Sequence, residues 1–230
     1  MEPLLKVTDL KVGIGNTTIL KEMDFEVEAG ETVVIIGSNG AGKSLLVRTL
    51  MGLIPPISGQ IEWKKGVKIG YVPQKFFVGQ HVPITVGEFL ALKGSMTEEH
   101  IRTTLARVGL GDAEKDKPVS VLSGGQFQRM IVAWALVDNP TVLVFDEPTE
   151  SVDVAGQASI YSLIHSLKKD QGITVFLVTH DLDIVYNYGD RVLCLSQGSL
   201  VCSESPNKSL SAEMLNTIYG HELHNHAHEH

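Results

Sequence analysis

Three short stretches carry residues whose types and spacing suit phosphate chemistry. The first is GSNGAGKS, residues 37–44. It fits G-x-x-x-x-G-K-[ST], follows the apolar run TVVIIG and precedes a helical pattern, the setting a phosphate-binding loop requires. In such a loop the backbone N–H groups of Gly37, Ser38, Asn39, Gly40, Ala41 and Gly42 curl round phosphate oxygens. Lys43 reaches the β- and γ-phosphates, Ser44 ligates Mg²⁺, and the helix N-terminus favours the anion. The second stretch is TVLVFDEP, residues 141–148, an apolar run ending in two carboxylates. Alone, these read as solvated acids at a strand end. Beside a phosphate loop, Asp146 is placed to hold the Mg²⁺ shell and Glu147 to polarise an attacking water. The third is VLSGGQFQRM, residues 121–130. Two adjacent glycines and the Ser123 hydroxyl at a helix start make a second anion-binding surface.

The C-terminal residues HELHNHAHEH suit different chemistry. His221, His224, His226, His228 and His230 offer neutral imidazoles, a preferred ligand of Zn²⁺, which four N, S or O donors complete. In a helix His224 and His228, or His226 and His230, share a face; in an extended chain 224, 226, 228 and 230 do. A hard ion such as Mg²⁺ gains little from them. The plain alternatives are a purification tag or an idle tail. A tag is usually an unbroken histidine run, and this one is interrupted by Leu, Asn, Ala and Glu. Residues 221–230 are short and polar, and are expected to form a flexible tail.

The elements that must position these groups follow from the pattern. A chain of 230 residues suits one domain, or one domain with an inserted subdomain. Apolar residues make up 43%, enough for a sizeable core. A net charge of −8 argues against nucleic acid as partner. No apolar run reaches the roughly 18 residues that span a bilayer. MEPLLKVTDLKV lacks the features of a signal peptide, so a cytosolic protein is expected, with a partner doing any spanning. LLKVTDLKV at 4–12 and MDFEVEAGE at 23–31 alternate like a half-exposed antiparallel sheet. TVVIIG, TVLVFD and ITVFLVT are short and wholly apolar, as buried parallel strands are. Residues 84–138 contain no convincing buried strand and three helical patterns, at 85–93, after a Ser95–Glu98 capping box, and from Gly124 to Asn139-Pro140. The plan is α/β, interrupted by a helical insert. Cys194 and Cys202 fall in an expected strand pair. Without C-x-x-C spacing they read as two small, partly buried side chains, against the alternatives of a disulfide or half a metal site.

LSGGQ followed by Gln128-Arg129 resembles the signature of the ATP-binding subunits of ABC transporters, and the likeness extends over about residues 4–220. It implies a P-loop NTPase (RecA-like) core with an N-terminal antiparallel β subdomain and an inserted α-helical subdomain. The implied layout is one ATP-binding domain over 1–220, with core at about 1–76 and 140–220 and insert at about 77–139. YVPQK at 71–75 resembles the Q-loop, which implies that Gln74 lies near Mg²⁺ and the transmembrane contact. ESVD at 150–153 resembles the D-loop, with Asp153 reaching toward a partner subunit. LVTHD at 177–181 resembles the switch region, placing His180 near the γ-phosphate. The resemblance implies a head-to-tail homodimer with ATP. Each nucleotide would lie between one subunit's phosphate loop and the other's Ser123, Gly124, Gly125 and Gln126.

One position departs from the family. Where an aromatic residue usually stacks on adenine, this chain has Ile14, which implies weaker base discrimination. The cargo is narrowed by HVPITVGEFLAL at 81–92, which resembles the corresponding segment of zinc- and manganese-importer subunits, and by the histidines of the tail. The reading is an ATPase on the cytoplasmic face of the cell membrane that powers zinc uptake. Its partners would be membrane permease subunits and, indirectly, an extracytoplasmic substrate-binding protein. An importer of manganese, iron or another substrate is the alternative. A soluble member acting in DNA repair or on the ribosome is disfavoured by the acidic charge and the single cassette.

Overall fold

The computed structural model describes residues 2–76, 82–149 and 152–226. Strand β1 (Leu5–Ile14) and strand β2 (Thr17–Val27) bury alternate residues. Leu5, Val7, Leu10 and Val12 face Leu20, Met23, Phe25 and Val27 in the core, while Lys21, Asp24 and Glu26 stay exposed. The register shifts between Val7 and Leu10, where Asp9 has a φ of 48° and its N–H bonds Asp24 Oδ1 at 3.0 Å, so the bulge is tied down. Strand β3 (Thr32–Gly37) is buried throughout. Helix α1 (Lys43–Leu50) follows, and Gly52 beyond it has a φ of 74°. Strand β4 (Ser58–Trp63) completes an antiparallel sheet of order β2-β1-β4.

The chain then builds strand β5 (Ile69–Val72) and helices α2 (Val86–Ala91), α3 (Glu98–Arg107), α4 (Asp112–Lys115) and α5 (Gly124–Leu136). Strand β6 (Val142–Asp146) and helix α6 (Val154–Gln171) come next. Strand β7 (Thr174–Val178), helix α7 (Leu182–Tyr188), strands β8 (Arg191–Ser196) and β9 (Ser199–Glu204), and helices α8 (Pro206–Ser209) and α9 (Ala212–His226) end the order. Two compact units result: Met1–Val67 with Thr174–His230, and Lys68–Ile173.

In the first unit β7, β3 and β8 are parallel neighbours in that order, and β9 returns antiparallel at the edge. One face of β3 and β8 buries Val34, Ile36, Val192 and Cys194 against Val185, Leu210 and Ile218 from the C-terminal helices. In the second unit β5 and β6 are parallel, and α5 packs on β5, α2, α3 and α6 with Met130, Ile131, Val132, Ala133 and Leu136 buried. The run at 84–138 holds no extended strand, only a single bridge between Thr85 and Pro118. Among the described residues no helix is long and apolar enough to cross a membrane.

Two local expectations are corrected. The capping box of α3 does not form between Ser95 and Glu98. Thr97 caps instead, its hydroxyl accepting from the His100 N–H at 3.2 Å. The Glu98 carboxylate is drawn to cations, Lys115 at 2.7 Å and Arg102 at 3.1 Å, and the Lys115 hydrogen bond and charge hold it below the usual carboxylate range. Ile101, Leu105 and Val108 still share the inward face, with Leu105 and Val108 fully buried.

The cysteines are the second correction: Cys194 and Cys202 form a disulfide. Spacing in sequence hid this because the hairpin register sets the two residues directly opposite one another, with Cα atoms 4.9 Å apart. We expect thiol alkylation of the unreduced protein to modify neither cysteine, and alkylation after reduction to modify both. Closing so short a loop stabilises by about 2–3 kcal/mol on the chain-entropy account, so reduction should lower the melting temperature measurably. Two alkylated cysteines without reductant would overturn the pairing.

Candidate functional site

The phosphate loop springs from the end of β3. Gly42 caps α1 with a φ of 100°, and a Cβ there would strike the buried Leu20 side chain, so only glycine fits. Lys43 begins the helix and is only 7% exposed. Its ammonium donates to the Gly37 carbonyl at 2.8 Å and the Ser38 carbonyl at 3.2 Å. The lysine therefore turns back over its own loop, with its charge concentrated where the N–H groups at the helix start also point. Ser44 is the next residue of the helix.

His180 reaches the same unit along β7. In the parallel register Ile35 faces Val178, so Gly37 and His180 each lie two residues beyond a matched pair, at the carboxyl ends of neighbouring strands. The Thr179 N–H donates to the Ile35 carbonyl at 3.3 Å, tying the residue before His180 to β3. His180 itself is exposed. Asp181 caps α7, accepting from Asp183 at 2.9 Å and Ile184 at 3.4 Å, which fixes where the strand ends. Ile14 is 63% exposed at the β1–β2 hairpin, opposite Thr17.

The second unit repeats the logic with carboxylates. Val72 faces Phe145 across β5 and β6, so Gln74 and Glu147 lie equally far beyond the matched pair. Their side chains meet: Gln74 Nε2 donates to Glu147 Oε2 at 3.2 Å. Asp146 is 1% exposed, and the Tyr71 hydroxyl donates to its Oδ2 at 3.3 Å. Tyr71 is a site residue the sequence reading does not single out. It lies inside YVPQK, and strand parity places its side chain toward Asp146, but only once β5 is paired with β6. Glu147 has a φ of 49°, a left-handed backbone uncommon for a residue with a side chain.

The signature sits at the start of α5. Ser123 caps it, its hydroxyl accepting from the Gln126 N–H at 3.2 Å while its own N–H donates to Gln126 Oε1 at 3.1 Å. Gln126 is thus engaged in shaping the helix start. Ser123 and Gly124 are exposed, and a Cβ on Gly125 would meet no atom of the described residues. Asp153 is likewise an exposed helix cap, accepting from the Gly156 N–H at 2.8 Å at the start of α6. Among the described residues no group of three His, Cys, Asp or Glu side chains could hold a metal ion. The imidazoles of His221, His224, His226, His228 and His230 lie outside the described part of the chain.

Against known families, residues 20–150 match the model described as ABC transporter. The chain belongs to the ABC transporter family. Within it, a relative named zinc import ATP-binding protein ZnuC from Yersinia pestis bv. Antiqua (strain Antiqua) is 38% identical over 238 aligned positions, covering 100% of this chain and 93% of that protein. Among solved structures, cbiO1 from Clostridium perfringens, part of the ABC transporter complex cbiONQ, superposes with a TM-score of 0.79 at 30% identity. That match covers 99% of this chain and 98% of the other. A dimeric ATP-binding cassette in a post-hydrolysis state with ADP and Pi bound superposes at 0.70 with 27% identity, covering 87% and 98%. The fold is therefore that of an ABC ATPase cassette, and the chain is an ATPase.

Proposed function

We propose that this ATPase powers zinc import through a separate membrane permease. The observation that carries the cargo is the similarity to a zinc import ATP-binding protein over the whole chain. The segment at 81–92 and the histidines at 221–230 support it. The cassette works at the cytoplasmic face of the membrane, on permease subunits supplied with zinc by an extracytoplasmic binding protein. Residues 1–220 act as one ATP-binding domain with its helical insert at about 77–139.

The residue roles follow from chemistry. The phosphate loop, Gly37–Ser44, binds the β- and γ-phosphates, with Lys43 as the charge partner. The donor set suits Mg²⁺: a helix-start hydroxyl at Ser44, an amide at Gln74 and a buried carboxylate at Asp146. The ion supplies neutralisation of charge developing on the phosphates. Glu147 takes the proton of the attacking water, and His180 donates toward the γ-phosphate. Ile14 offers the base an aliphatic surface without stacking. Ser123, Gly124, Gly125, Gln126 and Asp153 serve the nucleotide held by the partner subunit. The half-buried Gly125 supports this. A helical glycine costs about 1 kcal/mol relative to alanine, and no neighbour among the described residues requires it. A ligand approaching the backbone from outside would.

Two measurements test the reading. Co-expressed with its permease, the subunit should co-purify with membranes and not with ribosomes, and the reconstituted transporter should carry Zn²⁺ in preference to Mn²⁺. Calorimetry on the full chain and on a version ending at Gly220 tests the tail. We expect Zn²⁺ to bind the full chain with a Kd below about 10 μM, near −7 kcal/mol, and the shortened one at least tenfold more weakly. Equal binding by both, or equal competition by Mn²⁺, removes the tail from the argument and leaves the cargo to the transport assay.

A further inference from the structure

We propose that Arg129 is a positioning residue that sets the signature helix against the D-loop helix. Both helices then present their caps to the partner's nucleotide as one surface. The inference rests on the shared-site reading above and adds a residue to it.

Arg129 lies on α5 and is half-buried. Its Nη2 donates to Ser159 Oγ on α6 at 2.6 Å, and its Nη1 donates to the Val108 carbonyl at the end of α3. Room for Nη1 is made by Gly109. A Cβ there would lie 2.9 Å from that nitrogen, and its φ of 71° already favours glycine. The guanidinium fork is thus spread between two helices besides its own.

Position in the helices gives the bridge a purpose. Arg129 follows the Ser123 cap by the same number of residues as Ser159 follows the Asp153 cap. At about 1.5 Å per residue the bridge crosses roughly 9 Å behind both caps. Each of the two groups assigned to the partner's nucleotide therefore lies the same distance along its own helix from the residue that makes the shared hydrogen bond. A purely stabilising contact would not need a cation here. Both acceptors are neutral oxygens, and a half-buried charge among them is costlier than an apolar side chain of similar volume. What the fork adds is fixed direction, because its donors are planar and preset.

The test uses the full chain carrying Glu147→Gln, with ATP and Mg²⁺, and reads dimer formation by sedimentation. Arg129→Lys and Ser159→Ala should each raise the dimer dissociation constant about tenfold, the fold-change of one charge-assisted hydrogen bond. Ser159→Thr, which keeps the hydroxyl, should leave it within about twofold. Binding of a fluorescent ATP analogue to the monomer should not change, because the phosphate loop belongs to the other unit. Ser123→Arg is the control and should block dimerisation outright. If it blocks while Arg129→Lys and Ser159→Ala dimerise normally, the shared site stands and the bridge is refuted. If Ser123→Arg dimerises normally, the shared-site reading falls and the bridge with it. If monomer binding weakens in parallel with dimerisation, Arg129 supports the fold in general and the positioning role is refuted.

Discussion

Glu147→Gln should slow ATP turnover by about 10²–10³-fold and leave an ATP-bound dimer stable enough to isolate. The size of the drop is that of losing a positioned general base. The substitution is nearly isosteric, so it preserves what the structure shows the side chain doing: an amide oxygen can still accept from Gln74 Nε2, now at 3.2 Å from Glu147 Oε2. The left-handed backbone at Glu147, φ 49°, is kept by the same surroundings in both variants. Charge and proton affinity are what change. Nucleotide binding depends on the phosphate loop and should remain, so ATP accumulates in the state that hydrolysis would have dispersed. Phosphate release gives the rate and light scattering gives the mass. A Glu147→Gln protein that stays monomeric and hydrolyses at the wild-type rate would show that neither the base nor the shared site has been correctly assigned.

How much of this site could be read from the sequence depended on whether one strand or two were needed. The phosphate loop is local: strand, loop, lysine and helix are contiguous from Thr32 to Leu50, although the close contacts that demand glycine at 37 and 42 come from Leu195 and Leu20, far off in the chain. The signature helix start is local too, since Ser123 and Gln126 close their box within one turn. Gln74 and Glu147 could be named from their motifs. Their meeting could not be foreseen, because it follows from the β5–β6 register. Tyr71 escaped for the same reason, as did the Cys194–Cys202 pair across the β8–β9 hairpin. Strand β4 (SGQIEW) carries Gly, Gln and Glu and strand β5 (IGYV) is only four residues long, so neither shows the apolar run or clean alternation that marked the others. At α3 the pattern placed the buried face well. The cap lies at Thr97, and Glu98 is engaged by Lys115, distant in sequence, rather than by a cap.

Lys43→Ala should have the opposite signature to Glu147→Gln: no turnover and no trapped dimer. Lys43 is 7% exposed and its ammonium donates to two loop carbonyls, so its removal takes away both the phosphate's charge partner and a brace of the loop. Hydrogen bonds to charged groups contribute about 1.5–3 kcal/mol each, and losing one or two to the phosphates should weaken ATP binding by roughly 10²-fold or more. The comparison becomes decisive when the changes are combined. Glu147→Gln traps a state that must first be loaded, whereas Lys43→Ala prevents loading. The double variant should therefore behave as Lys43→Ala does, monomeric at ATP concentrations that saturate the Glu147→Gln dimer, and sedimentation over an ATP titration reads this directly. A double variant that still dimerises with ATP at those concentrations would mean that the phosphate loop does not supply the affinity holding the dimer together. The assignment of Lys43 would then have to be abandoned, even though its motif is the most complete in the chain.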